Sequence, residues 1–136
     1  MANYLASCRT NYFRVKDPEA FKVALSPIAD IEIVEDDGRV MLLGRNEDGA
    51  GWPTSYHDED ECEDVEFDLQ GTVAPFLADG EVAIFMEVGA EKLRYLVGYA
   101  VAVNNKGEQR TVSLQDIYRE AAELAPENAE ITRVEY

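Results

Sequence analysis

Residues 81–103, which read EVAIFMEVGAEKLRYLVGYAVAV, carry the strongest signal for the fold. The stretch is rich in valine, isoleucine, phenylalanine and tyrosine, which favour β-strands. We predict one long strand from Glu81 to Val88 and a second from Lys92 to Val103. Gly89-Ala90-Glu91 joins them, so the two strands are expected to pair with each other.

The second of these strands has two different faces. Its small residues lie on one face together with Leu96: Gly98, Ala100 and Ala102. Its larger side chains alternate along the other face: Leu93, Tyr95, Val97, Tyr99, Val101 and Val103. Apolar residues on both faces are typical of a strand inside a sheet, and small residues allow another element to approach closely. We therefore expect a central strand with a helix packed over its small residues.

Two elements before this hairpin have clear local signals. Asp17-Pro18-Glu19 is typical of a helix start, with a capping aspartate, a proline at the first helical position and an acid in the first turn. Pro27 is expected to end that helix after about two turns. Asp37-Gly38 lies between two apolar runs, Ile31 to Val34 and Val40 to Leu43, and Asp-Gly in that setting predicts a β-hairpin.

The remaining elements are predicted from composition. Tyr4 to Val15 favours a strand, residues 46–64 are expected to be irregular, and a helix is predicted within Val65 to Leu77. Short strands are expected at Gln109 to Val112 and at Ile131 to Tyr136. A final helix starts at the capping residue Ser113 and has an apolar stripe: Leu114, Ile117, Tyr118, Ala121 and Leu124.

These elements predict an α+β fold, a mostly antiparallel sheet of about five to six strands with about two to three helices. The length of 136 residues suits one domain, and we assign residues 1–136 to it, with an acidic segment at 30–68.

The net charge of −16 is concentrated in that segment. Between Asp30 and Asp68 there are 15 acidic and 2 basic residues, a net charge of −13, whereas the rest of the chain has 13 and 10, a net charge of −3. So negative a surface repels nucleic acids and anionic lipids, since binding to phosphates depends on lysine and arginine. We therefore expect no direct nucleic-acid partner and no membrane partner.

The first residues of the sequence and the pattern of its cysteines predict a cytoplasmic location. Residues 1–14 lack the basic start and the apolar core of a secretion signal. Cys8 and Cys62 do not form a CxxC pair, which fits a reducing compartment.

Few residues suggest catalysis or metal binding. Ser55, His57 and Asp58 are too close in sequence for a triad, because neighbouring side chains in an extended segment point in alternating directions. Cys8 is interpreted as a buried thiol in a strand. Counted from Asp58, an EF-hand would need glycine at the sixth position and glutamate at the twelfth, but Glu63 and Leu69 stand there. We predict no catalytic residues, no cofactor and no metal ligands.

The run from Asp58 to Asp64 holds six carboxylates in seven positions. If extended, it would span roughly 23 Å and carry about one charge per 4 Å, close to the phosphate spacing of one DNA strand. Such a surface could fill the basic groove of a nucleic-acid-binding protein. Two aromatic residues, Trp52 and Tyr56, precede the run as candidate contacts, although packing onto the sheet is favoured for Trp52. The predicted partner-binding residues are Glu35, Asp36, Asp37, Glu47, Asp48, Asp58, Glu59, Asp60, Glu61, Glu63, Asp64, Glu66 and Asp68.

Three stretches, about a third of the chain, resemble small acidic uncharacterised proteins of bacterial plasmids, integrative elements and prophages. They are residues 7–17 (SCRTNYFRVKD), residues 86–100 (MEVGAEKLRYLVGYA) and residues 111–118 (TVSLQDIY). The resemblance implies a bacterial cell and a mobile genetic element. By analogy with acidic anti-CRISPR and antirestriction proteins, it suggests a non-enzymatic inhibitor of a host nucleic-acid-binding defence complex that acts as a DNA mimic.

Two other functions fit the same residues. One is an accessory protein of a mobile element whose acidic loop mimics nothing and serves solubility or assembly. The other is a small metal-dependent enzyme that uses His57 and the acidic run, which would require a formed pocket. The sequence leaves the target and the oligomeric state open.

Overall fold

The computed structural model describes residues 4–44, 51–91 and 95–134. Its strands and α-helices follow in the order β1 (Tyr4–Thr10), α1 (Pro18–Leu25), β2 (Ile31–Asp36), β3 (Arg39–Gly44), β4 (Ser55–Asp58), β5 (Glu63–Glu66), α2 (Leu69–Val73), β6 (Val82–Glu91), β7 (Tyr95–Asn104), β8 (Gln109–Ser113) and α3 (Ile117–Leu124). Short 3₁₀ helices lie at Ala74–Phe76 and Leu114–Asp116.

The strands form a large sheet and a separate hairpin. Six strands pair antiparallel in the order β2-β3-β1-β6-β7-β8, and β4 pairs with β5. The predicted α+β fold with a mostly antiparallel sheet is therefore confirmed. β1 lies between β3 and β6, so the N-terminal strand joins the β2–β3 hairpin to the long β6–β7 hairpin.

The local signals produce the elements that they predicted. The Asp17 side chain accepts a hydrogen bond from the backbone N–H of Ala20 at 3.2 Å, and Pro18 begins α1. Asp37 and Gly38 have φ angles of 51° and 76°, the left-handed pair that closes a two-residue turn between β2 and β3. At the end of β8, the backbone N–H of Ser113 donates to the Asp116 carboxylate at 2.9 Å and completes a capping box.

One face of the six-stranded sheet, the covered face, holds the core. Side chains that point to it from β3, β1, β6 and β7 are buried, among them Leu42, Thr10, Phe85 and Val103. Helices α1 and α2 contribute the opposing layer with Phe21, Leu25, Leu69 and Val73, and the edge of Phe21 contacts Phe13 with ring centroids 6.0 Å apart.

The other face, the open face, is largely uncovered on β1, β6, β7 and β8, whereas Met41 of β3, which also points to it, is buried. Met86 and Val88 of β6 point to it and are more than half exposed. A helix was expected over the small residues of β7. At Gly98 the structure instead has the single side chain of Leu114, and a Cβ added to Gly98 would lie 2.8 Å from a Leu114 methyl carbon. No helix of the described ranges lies over Ala100 and Ala102, because the chain leaves β8 at the sheet edge and α3 has no buried residue. That prediction was wrong.

Several element boundaries also differ from the prediction. Gly89-Ala90-Glu91 belongs to β6 and pairs with β1, so the connection to β7 falls on residues 92–94, outside the described ranges. Strands β4 and β5 lie in the stretch predicted to be irregular and at the start of the predicted helix, which is reduced to α2 and a 3₁₀ turn. Residues 131–134 are not a strand. Within the described ranges, every helix is too short or too polar to cross a membrane.

Candidate functional site

The acidic run folds back on itself as a hairpin, which we call the acidic hairpin (residues 55–66). His57 pairs with Asp64 and Asp58 with Glu63 across the two strands. The Asp58 carboxylate accepts hydrogen bonds from the backbone N–H groups of Asp60 at 3.0 Å and Glu61 at 3.4 Å, which starts the turn. The expected extended run of about 23 Å is therefore wrong, because this side-chain contact reverses the chain within the run.

The base of the acidic hairpin is anchored on the protein core. The rings of Tyr56 and Phe67 lie 5.9 Å apart and pack against the core cluster, and the Phe67 N–H donates to the Thr54 carbonyl at 2.9 Å. Trp52 is 7% exposed, and its ring packs edge-to-face with that of Phe85, with ring centroids 5.5 Å apart. It therefore lies in the core, which was the interpretation favoured from the sequence. Of the two candidate aromatic contacts, only Tyr56 is partly exposed.

The tip of the acidic hairpin presents its charge to solvent. Glu59, Asp60, Glu61, Glu63 and Asp64 are exposed. His57 Nδ1 lies 3.0 Å from the Asp64 carboxylate, and both side chains are largely exposed. Among the described residues, no lysine or arginine pairs with a carboxylate of residues 58–64. The tip therefore keeps nearly all of its negative charge uncompensated.

A cavity of about 630 Å³ separates the acidic hairpin from the segment that follows α1. Pro27, Ile28, Ala29 and Asp30 line one side, and residues 55–60 line the other. Asp30 and the hairpin residues Asp58, Glu59 and Asp60 line this same cavity. The cavity is open and its walls mix polar and apolar groups, so a basic side chain of a partner could enter it beside these carboxylates.

The other predicted acidic residues do not join this cluster. Asp36 and Asp37 lie at the far end of β2 from Asp30, about 20 Å away along the strand. Glu35 forms an ion pair with Lys22 of α1, and hydrogen bonding to Glu35 raises the Lys22 pKa. Glu66 pairs with Ser55 at the base of the hairpin, and Asp68 is at the start of α2. Glu47 and Asp48 lie outside the described residues.

Sequence reasoning missed a buried carboxylate that holds the segment leading into the hairpin. Glu87 is 6% exposed and points to the covered face from β6. Its Oε1 accepts hydrogen bonds from the Trp52 backbone N–H and the Tyr99 hydroxyl, both at 2.9 Å. An added Cβ on Gly51 would lie 2.5 Å from the same oxygen, so only glycine fits there. The one sequence signal was an acid that interrupts an apolar strand.

Glu87 also helps to raise the pKa values of two neighbouring groups, the Cys8 thiol and the Tyr99 hydroxyl. Cys8 Sγ lies 3.8 Å from Glu87 Oε1, and burial together with the carboxylate raises the pKa of the Cys8 thiol to about 12. Burial and the same carboxylate raise the pKa of Tyr99. Because a thiol with that pKa is protonated at neutral pH, Cys8 has no nucleophilic thiolate to offer.

The remaining chemistry of the described residues is sparse. They contain no group of three or more histidine, cysteine, aspartate or glutamate side chains arranged to hold a metal ion. Ser55 and His57 lie in one short strand, and the ring nitrogen of His57 contacts Asp64 rather than Ser55.

Comparison with known proteins assigns no relative. The chain matches no protein-family model, no curated protein and no solved structure.

Proposed function

We propose that this protein is a non-enzymatic inhibitor that docks its acidic hairpin into the basic groove of a nucleic-acid-binding defence complex of a bacterial host. The observation that carries the proposal is the uncompensated charge at the tip, where six carboxylates of residues 58–64 lie in one turn and two strand ends. A protein groove that binds phosphates offers lysine and arginine, the groups that this tip lacks.

The hairpin gives a charge density comparable to a duplex over a short length. Four extended residues span about 13 Å, and a DNA duplex of that length carries roughly eight phosphates. The six carboxylates of the tip approach that number. The mimicry we propose is therefore of a compact patch of phosphates rather than of one long strand.

Anchoring of the hairpin base favours binding of this kind. Tyr56 and Phe67 hold the two strands on the core, and Asp58 fixes the turn. A preorganised charged tip loses less conformational entropy on binding than a disordered acidic loop would. The resemblance to proteins of plasmids and prophages, elements that encounter host defences, fits this role.

The proposal is tested with a hairpin variant that carries Glu59→Lys, Asp60→Lys, Glu61→Lys and Glu63→Lys and keeps Asp58, which closes the turn. The protein is produced in bacteria that carry a restriction system or a CRISPR effector, and the plating efficiency of a targeted phage is measured. Displacement of a fluorescent DNA duplex from the purified defence complex is measured in parallel. We expect the natural protein to raise plating and displace the duplex, and the hairpin variant to lose both effects.

The matched control reverses four exposed carboxylates elsewhere, with Glu19→Lys, Asp79→Lys, Glu127→Lys and Glu130→Lys. It changes the net charge by the same amount, so it separates the hairpin from the overall charge. Full activity of the hairpin variant, loss of activity in both variants alike, or no DNA displacement from any system would each contradict the proposal. Inhibition should also weaken as salt rises, because exposed charges are screened within about 8 Å at physiological ionic strength.

A further inference from the structure

Over β1, β6, β7 and β8 the open face differs from the rest of the surface in its charge, whereas on the edge strand β2 it carries Glu32 and Asp36. On β1, β6, β7 and β8, its described side chains include no carboxylate, although the chain has a net charge of −16. Its charged groups are Arg9 and Arg110, both exposed. Between them lie apolar side chains, five of which are exposed by two fifths or more: Leu5, Val82, Met86, Val88 and Leu96. With Val112 of the edge strand, they form a continuous apolar patch across four strands.

Helix α3 presents a second apolar surface, in which Tyr118 contacts Arg133 and Val134 while Ile117 and Leu124 remain exposed. Ile117 is 58% exposed and Leu124 is 91% exposed, and no residue of α3 is buried. Glu120 and Glu123 follow one edge of the apolar stripe. An amphipathic helix in water is normally stabilised by burying such a stripe, so α3 has the features of a helix that packs on something else.

Within one copy these two surfaces lie on either side of a groove. The 3₁₀ helix follows β8 directly, so α3 starts at the sheet edge, and Leu114 reaches over the face at Gly98. A groove of about 490 Å³ remains between Leu96 on the sheet and Leu114, Ile117 and Val134 beyond the edge. The small residues Ala100 and Ala102, which would admit a helix, lie further along β7.

We propose that the open face is the interface of a homodimer in which α3 of each copy covers the open face of the other. The two surfaces are complementary in shape, since an apolar helix stripe meets a face with small residues at its centre. They are complementary in charge, since Glu120 and Glu123 flank the stripe while Arg9 and Arg110 flank the patch. A two-fold axis satisfies both contacts at once, because each copy donates one helix and one face.

The apolar area is of the size that such a dimer needs. Nine aliphatic side chains of the face and of the 3₁₀ and α3 helices are each exposed by 43% to 91%. If each contributes about 90 Å², the patch approaches the ~800 Å² per partner of a standard interface and exceeds the largest apolar patch of a typical monomer. The acidic hairpin packs on the covered side of the sheet, so its charge does not oppose the contact.

The first test is the molar mass of the purified full chain, measured by light scattering and by sedimentation over a dilution series. We expect a mass twice the 15.2 kDa of one chain, falling toward one chain on dilution with a Kd of about micromolar order. A monomer at every concentration overturns the proposal, as does a larger assembly.

The second test separates this surface from any other. Leu124→Glu and Ile117→Glu change exposed positions that the fold of one copy does not need, and each should raise the dimer Kd by about tenfold or more. Val23→Glu is the matched control, because Val23 is 70% exposed on α1, on the covered side. Circular dichroism verifies that all three variants fold. A dimer that resists both α3 substitutions, or that is weakened equally by the control, overturns the proposal.

The third test uses charge exchange between the two surfaces. A face variant carries Arg9→Glu and Arg110→Glu, and a helix variant carries Glu120→Arg and Glu123→Arg. Each alone should dimerise more weakly, since like charges then meet. A mixture of the two should form a heterodimer, because both of its contacts pair opposite charges. Failure of the mixture to restore association contradicts the crossed arrangement of α3 and the open face.

Discussion

The two faces of the six-stranded sheet are built from the same strands and differ in the burial and the charge of their side chains. Phe85 and Met86 are neighbours in β6, yet Phe85 is fully buried on the covered face and Met86 is 51% exposed on the open face. The covered face even buries a carboxylate, Glu87, with three hydrogen-bonding neighbours. Across β1, β6, β7 and β8 the described part of the open face has no carboxylate and has arginines at its margin, whereas Glu32 and Asp36 lie on this face on the edge strand β2.

This difference shows that the neighbours of a side chain decide whether a polar residue can be buried and whether an apolar residue stays exposed. A buried acid is stable where backbone and side-chain donors meet it, and an apolar residue remains exposed where no element of the same copy covers it. The covered face is completed within one copy, while the open face is completed by another molecule in our proposal.

The largest expected effect contrasts the two neighbours in β6. Phe85→Ala leaves a cavity in the core and should lower the free energy of unfolding by about 3–5 kcal/mol. Met86→Ala should cost less than about 1 kcal/mol when urea unfolding is measured on dilute, monomeric protein. Equal losses for the two substitutions would show that Met86 is buried within one copy.

The buried carboxylate gives the next effect. Glu87→Ala removes the acceptor for the Trp52 backbone N–H and the Tyr99 hydroxyl, and should lower the free energy of unfolding by about 2–3 kcal/mol. Glu87→Gln keeps an oxygen in place and should lose less. A glutamine variant that is as unstable as the alanine variant would mean that the charge, rather than the acceptor, stabilises this site.

The pH dependence of stability tests the same site. The pKa of Cys8 is raised from 9.0 to about 12 in the folded protein, so the folded state holds this proton more tightly than the unfolded chain. The resulting stabilisation is complete below pH 9 and is lost as pH rises toward 12, at up to about 1.4 kcal/mol per pH unit for this group. Tyr99 acts in the same direction at higher pH.

Urea unfolding of the natural protein and of Cys8→Ala between pH 7 and 11 measures this slope. The variant should lose stability less steeply above pH 9, and Cys62→Ala, at the exposed cysteine, should behave like the natural protein. Identical slopes for the natural protein and Cys8→Ala would contradict the buried thiol.

The smallest effect is expected at the tip of the acidic hairpin. Asp64→Asn removes the negative charge from the exposed contact with His57 and should change the free energy of unfolding by less than about 0.5 kcal/mol. The same substitution changes a charge that our proposed function requires. A large loss of stability would instead assign the carboxylates of the tip a structural role.

The sequence predicted the parts of the fold that depend on short-range chemistry. Asp17, Asp37-Gly38 and Ser113 each fix a helix start or a turn through contacts within a few residues, and each was predicted correctly. The position of β1 between β3 and β6 could not be predicted from the sequence, because it depends on pairing between residues about 30 and 80 positions apart.

The candidate site was predicted only in composition. Strand propensity argues against β4 and β5, since aspartate and glutamate are depleted in strands. These strands form because Tyr56 and Phe67 pack on the core and Asp58 closes the turn, and neither contact has a signature in the sequence. The cavity that Asp30 shares with residues 58–60, and the distance of Asp30 from Asp36 and Asp37, followed from that packing.

The raised pKa of Cys8 leaves the protein with a single thiol that chemistry can address at neutral pH. Cys62 is exposed in the turn of the acidic hairpin, with a φ angle of 52°, among the carboxylates proposed to enter a partner's groove. A maleimide dye added to the natural sequence should therefore attach at that turn and leave Cys8 untouched. Its fluorescence would report directly whether the hairpin enters a groove, without any engineered attachment point.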